Sequence, residues 1–177
     1  MQLHGVVLVE GTSDRRAVET LARRRGRDLE AEGVAIVPMG GYGSLSRRLR
    51  QYRDVRLAGL YDVGEERHFL RALGCRDRDE LERAGFFACT RDLEDELTRA
   101  VGPAGMERVL AQQGDLRAFR TYQKQPAHRA EPLEEQLHGF MWNRKQRYAV
   151  LLVEALDLER VPRPLDRVLA YVEVKPE

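Results

Sequence analysis

The chain has 177 residues, 42% of them hydrophobic and 33% charged, with a formal net charge of +1. That is enough apolar material for one core, and it argues against a disordered or fibrous chain. A charge near zero gives no overall pull towards nucleic acid, so any such affinity has to come from an uneven distribution. Cys75 and Cys89 are the only cysteines, in no metal-type spacing, and suggest neither a disulfide framework nor a zinc site. No apolar run is long enough to cross a bilayer and no signal-peptide pattern opens the chain, so the expectation is a cytoplasmic protein with no membrane partner. Positive charge is nearly all arginine, since Lys124, Lys145 and Lys175 are the only lysines. Arginine suits phosphate geometry, but its clusters (Arg23, Arg24, Arg25 and Arg27, then Arg47, Arg48, Arg50 and Arg53) read first as solvated helix faces.

The chain opens with Val6-Val7-Leu8-Val9, a run suited to a strand buried on both faces. It stops at Glu10, turns on Gly11 and restarts as a helix that Thr12 or Ser13 can cap, with Val18, Leu21 and Ala22 on one face. Residues 34–37 form a second apolar run, ending in Pro38-Met39-Gly40-Gly41-Tyr42-Gly43 and a helix with Leu45, Leu49 and Tyr52 on one side. A third run, residues 55–61, ends at Asp62 and leads through Gly64, Glu65 and Glu66 to a helix carrying Leu70 and Leu73. Residues 85–89 make a fourth, followed by Thr90-Arg91-Asp92-Leu93-Glu94-Asp95-Glu96-Leu97. Strands alternating with helices imply right-handed crossovers and a parallel sheet covered on both faces. After Gly102-Pro103 strand signals fade, and helical patterns are predicted at 106–113, 133–142 and 148–158, with a last helix opening at Pro162 or Pro164. The expected organisation is an α/β portion over residues 1–101 and a helical portion over 102–177 packed on it.

In open parallel sheets ligands bind beyond the carboxyl ends of the strands. Those ends deliver Glu10 with Asp14, a glycine loop, Asp62 with Glu65 and Glu66, and Asp92 with Glu94. Like charges gathered at one edge repel, and one or two hard divalent cations are the simplest compensation. Each acid by itself also has a structural reading. Asp92, Glu94, Asp95 and Glu96 open a helix and complement its dipole, Asp95 and Glu96 being the best candidates for plain solvated charge. The glycines fit a tight strand-to-helix turn as well as a phosphate cradle. His128 and His138 have no metal-type spacing and read as structural.

The ordered set, strand–Glu10-Gly-x-x-Asp14–helix, glycine loop, strand–Asp62, then Leu93-Glu94, resembles a TOPRIM domain, and most of all the OLD (overcoming lysogenization defect) nuclease branch. The resemblance implies an α/β, TOPRIM/Rossmann-like parallel sheet of about four strands flanked by helices, with a C-terminal helical portion. It makes Glu10 a metal ligand or general acid/base and gives Asp14, Asp62 and Glu94 as metal-binding acids. The second aspartate of the usual Asp-x-Asp pair is Gly64 here, and Glu65, one residue on and one methylene longer, is the candidate replacement. The resemblance also suggests a lysine after the acids that steadies charge on phosphate. Lys124 is the candidate, with Arg120 and Arg129 beside it as phosphate contacts.

The implied activity is phosphodiester hydrolysis in DNA or RNA, dependent on Mg²⁺ or Mn²⁺ as one or two ions. Gly-x-x-x-x-Gly-Lys-Ser/Thr does not occur in these residues, so ATPase chemistry of the OLD kind would need a partner in trans. Two alternatives stand beside it: a degenerate TOPRIM acting as a non-catalytic binding or regulatory module, favoured by Gly64, and a nucleotide-binding doubly wound domain centred on the glycine loop.

Overall fold

The computed structural model describes residues 3–173. Among them, strands β1 (Gly5–Val9), β2 (Val34–Pro38), β3 (Arg56–Asp62) and β4 (Phe86–Cys89) form one parallel sheet in the order β2-β1-β3-β4. All four predicted strands are present, with ends shifted by about a residue. Their side chains alternate between two buried faces, which is why each reads as an unbroken apolar run. Val7, Val9, Ala58, Leu60, Phe87 and Cys89 face one core cluster, and Val6, Leu8, Tyr61 and Phe86 face the other.

The helices follow in chain order: α1 (Thr12–Arg24), α2 (Leu45–Gln51), α3 (Glu66–Leu73), α4 (Arg78–Arg83), α5 (Leu93–Gln112), α6 (Leu116–Gln123), α7 (Leu133–Met141), α8 (Lys145–Ala155) and α9 (Arg163–Tyr171). Helices α2, α3 and α4 supply Leu45, Phe69 and Leu81 to one face of the sheet. The other face is covered by α1, α5 and α9, with α8 lying against α1 and α5. Buried Tyr148, Leu152 and Val153 of α8 join Val18 and Leu21 of α1 in a single core with the sheet.

Two helices have no counterpart in the sequence reading. α4 is almost entirely charged and buries only Leu81, while α6 is a short stripe of Leu116, Phe119 and Tyr122 in which only Phe119 is fully buried. Gly102-Pro103, after which strand signals fade in the sequence, is a kink within α5, where Gly102 takes φ 71° and ψ 167° and the helix resumes at Pro103. The start of α1 also differs from expectation: Gly11 occupies the cap position, and neither Thr12 nor Ser13 caps with its side chain. Instead the Gly11 N–H donates to Asp14 Oδ2 at 2.8 Å, closing the turn from inside the helix.

Chain order reverses direction across the sheet between β1 and β3, since β2 lies outside β1 on one side and β4 outside β3 on the other. A crevice opens at such a switch point, beyond the carboxyl ends of the two central strands. Glu10 directly follows β1 and Asp62 is the last residue of β3.

Candidate active site

A cleft of about 610 Å³ lies at this switch point. Its lining includes five carboxylates, Glu10, Asp14, Asp62, Asp92 and Glu94, together with one cation, Lys145. The acids come from three places along the backbone: the turn from β1 into α1, the end of β3 and the start of α5. Glu10 ends the first strand, and its carbonyl accepts from the Gly40 N–H at 2.9 Å, which holds the glycine loop alongside it. Gly40 and Gly41 take φ 71° and 98°, a conformation that side chains with a Cβ resist, and both line the cleft. Asp92 caps α5 by accepting from the Asp95 N–H at 2.8 Å, and Glu94 sits in the first turn of that helix.

The electrostatics of the cleft are strained. Burial, then the neighbouring charges of Glu94 and Glu10, pushes Asp14 up to about 7, although the Gly11 N–H and Lys145 partly offset this. Burial, then Glu10, Asp92 and Asp14, pushes Asp62 up to about 8. Asp92 goes the other way. Its burial is outweighed by His138 and by the Asp95 N–H and Lys145, which keep the carboxyl below the usual range. His138 Nε2 lies 2.8 Å from Asp92 Oδ2, and Lys145 Nζ lies 3.2 Å from the same oxygen. Lys145 Nζ is also 3.5 Å from Glu94 Oε2. The other oxygen, Glu94 Oε1, is buried without any hydrogen-bond partner, although the residue is only 5% exposed. Such an atom is costly unless something positive meets it.

Among the described residues no three His, Cys, Asp or Glu side chains close on a single ion-sized point. Like charges stand apart, and Lys145 is the cation between Asp92 and Glu94.

Of the residues singled out from sequence, Glu10, Asp14, Asp62 and Glu94 are brought together here. Glu65 does not line the cleft. It precedes α3, and burial followed by the charge of Glu10 raises its pKa, so it couples to the acids from the rim. Glu66 is turned away onto Tyr61 and Arg78. Asp95 and Glu96 are paired with Arg99.

The lysine is a correction. Lys124 follows the last turn of α6 at an exposed position, where a cation complements the helix dipole, and does not line the cleft. Arg120 is paired with Glu107, and Arg129 is exposed; neither lines the cleft. Asp92, which the sequence brought to this edge without a role at the site, lines the cleft, and Lys145 and Trp142 were not among the sequence candidates. The one signal for Lys145 is rarity, since only three lysines exist and two fall in the helical portion ahead of the terminal residues.

Residues 4–58 match the model of the overcoming lysogenization defect protein-like TOPRIM domain, a span that includes Glu10 and Asp14 and stops before Asp62. The C-terminal region of the Burkholderia pseudomallei OLD protein superposes with a TM-score of 0.73 at 18% identity, covering 95% of this chain and 96% of that one. The fold is that of an OLD-like TOPRIM. The C-terminal region of the Xanthomonas campestris pv. campestris OLD protein gives a TM-score of 0.72 at 22% identity, covering 96% of this chain and 92% of that one. No curated protein matches the chain in sequence. The OLD-like fold thus extends over the C-terminal helices as well as the sheet, and at these identities the likeness is one of architecture. Among the described residues no helix is long and apolar enough to cross a membrane.

Proposed function

We propose that this OLD-like TOPRIM hydrolyses phosphodiester bonds in nucleic acid with the help of one or two divalent cations. The observation that carries the reading is the buried, unpartnered Glu94 Oε1 in a cleft shared with four other carboxylates. The donor set is all oxygen, which suits Mg²⁺ or Mn²⁺. Glu10, Asp14, Asp62 and Glu94 would hold the ions, with Glu65 completing the set from the rim in place of the acid absent at Gly64. When bound, such a cation polarises the phosphodiester and acidifies the attacking water.

The chain's own residues do the rest. Glu10, exposed and lining the cleft, would take the proton from water as its oxygen attacks phosphorus. The scissile P–O bond then breaks, and the leaving oxygen takes a proton from solvent. Lys145, fixed by Asp92, offers charge to the phosphoryl oxygens as they become more negative. The ATPase partner implied by the OLD resemblance would act in trans. Gly64 favours a second reading, a TOPRIM that binds without cutting.

Incubating the protein with supercoiled plasmid and with structured RNA, each with Mg²⁺, Mn²⁺ or EDTA, tests the proposal. Cleavage in metal, lost in EDTA and in Glu10→Gln, is the expected result. A metal that raises the melting temperature but produces no cleavage would move the assignment to the binding module. Neither effect would remove the metal altogether.

A further inference from the structure

Beside the acidic cleft lies a second cavity of about 540 Å³ with the opposite character. Arg16, Arg144, Lys145 and Arg147 line it, and no carboxylate does. Trp142 and Lys145 belong to both linings, so the two cavities share a wall. Trp142 is 59% exposed, the most exposed of the large hydrophobic side chains among the described residues. Lys145 Nζ lies 4.4 Å from its ring centroid, and His138 approaches at a tilt, which steadies the indole without covering it. Tyr42, also exposed, follows the glycines on the opposite lining of the cleft and stacks on His68. An aromatic face left in water at the lip of a site is free to stack on a flat ligand.

The neighbouring cations are available. The Arg16 side chain makes no hydrogen bond or ion pair with any described residue, and the Arg144 side chain donates only to the Phe140 carbonyl while lying over the Phe140 ring. Arg147 is held by Gln113 Oε1 at 2.6 Å and by Asp115 at 3.3 Å, which leaves Arg16 and Arg144 as the cations free to meet a ligand. Two amide side chains, Asn143 and Gln146, complete the lining.

We propose that this cavity receives an unpaired nucleotide of a single strand, its base stacked on Trp142 and its phosphates on Arg16 and Arg144, with the next phosphodiester leading into the acidic cleft. Only the last clause rests on the nuclease reading. A flat π surface beside cations with no acidic partner suits an unstacked base on its backbone, and takes any base, because every base has a face to offer. Paired bases in a duplex have no such face free, so the geometry selects single-stranded or frayed substrates.

Trp142 is the only tryptophan, so its emission reports on this site alone. In EDTA, where no cleavage can occur, oligothymidylate should quench that emission, and a duplex of the same length should leave it nearly unchanged. By fluorescence anisotropy of the labelled strand, Trp142→Ala should bind about tenfold more weakly and Trp142→Phe should retain most of the affinity. Arg16→Gln with Arg144→Gln should weaken single strand and duplex alike and flatten the salt dependence. Unquenched emission on binding, a Trp142→Ala variant that binds as the wild type does, or equal affinity for duplex would overturn the proposal. Glu10→Gln separates the two readings, because it should abolish cleavage and keep the quenching. Quenching without cleavage in any metal keeps the stacking site and removes the nuclease, and cleavage without quenching does the reverse.

Discussion

Lys145 and Asp92 form an ion pair of 3.2 Å that ties the first residue of α8 to the cap of α5. A cation at a helix N-terminus opposes the helix dipole, so the position is unfavourable in itself. Glu94 and Asp92 offset that, and their charges more than compensate the burial that would lower the lysine's pKa, leaving it raised. Lys145→Met is therefore expected to slow cleavage by about 10²-fold, the loss typical of one donor to developing charge, while Lys124→Met leaves the rate unchanged. Asp92→Asn, which keeps a good helix cap, should give an intermediate loss by freeing the ammonium. Single-turnover rates of the three variants in Mn²⁺ check the order.

The acids also set how stability depends on pH. Asp14 and Asp62 bind protons more tightly in the folded protein, at about 7 and about 8 against an ordinary 3.8. The native state therefore holds more protons than the unfolded state between those limits, and stability falls as pH rises through that window. Melting temperature in EDTA should drop between pH 5 and pH 8.5, and Asp62→Asn should flatten the decline. Ligating carboxylates must be deprotonated, so stabilisation by Mn²⁺ should grow over the same range. A metal-free melting temperature that rises across it would contradict the raised carboxyls.

The acids were legible in sequence for a topological reason. A parallel sheet sends the end of every strand to one edge, so Glu10 after Val9 and Asp62 after Tyr61 had to meet. Lys145 and Trp142 come from helices, and a 3.6-residue period shows which face is apolar without showing where the polar end points. Asp92 was hidden by its capping role, which it does fulfil as well as lining the cleft. The arginine cluster at the end of α1 reads as solvated charge, yet apart from exposed Arg23 its members are engaged. Arg25 pairs with Asp166 at 2.7 Å, and Arg27 pairs with Glu32 while donating to the Leu169 carbonyl at 2.8 Å. Nothing in the local sequence distinguishes these from exposed arginines, because their partners lie up to about 140 residues away.

Arg24 is the most consequential of that cluster. Its guanidinium donates to the carbonyls of Val153 and Leu156 at 2.7 and 2.8 Å, at the C-terminal end of α8. The Val153 carbonyl otherwise accepts only the Leu156 N–H, at 3.3 Å, and both carbonyls lie at the negative end of the helix dipole, which a cation there complements. Arg24→Ala is expected to destabilise the protein by about 1–3 kcal/mol, by urea denaturation. Arg24→Lys should recover only part of this, since one ammonium reproduces the fork poorly. Oligothymidylate binding by the folded variant should stay as in the wild type, because Arg24 lines neither cavity.

Gly59 tests the packing that holds the switch point together. It lies in β3 opposite Leu8 of β1 on one side and Phe86 of β4 on the other. A Cβ there would stand 2.8 Å from the Phe86 ring and 3.0 Å from the Leu8 carbonyl oxygen. Phe86 is 1% exposed and packs against Phe69, so the ring has no room to swing away. Overpacking of this kind costs about 1–3 kcal/mol in a close-packed core. Gly59→Ala should lower the melting temperature accordingly, and Phe86→Leu in the same chain should restore part of the loss by vacating the ring. If Gly59→Ala alone is as stable as the wild type, β3 and β4 are not packed as closely as this register requires.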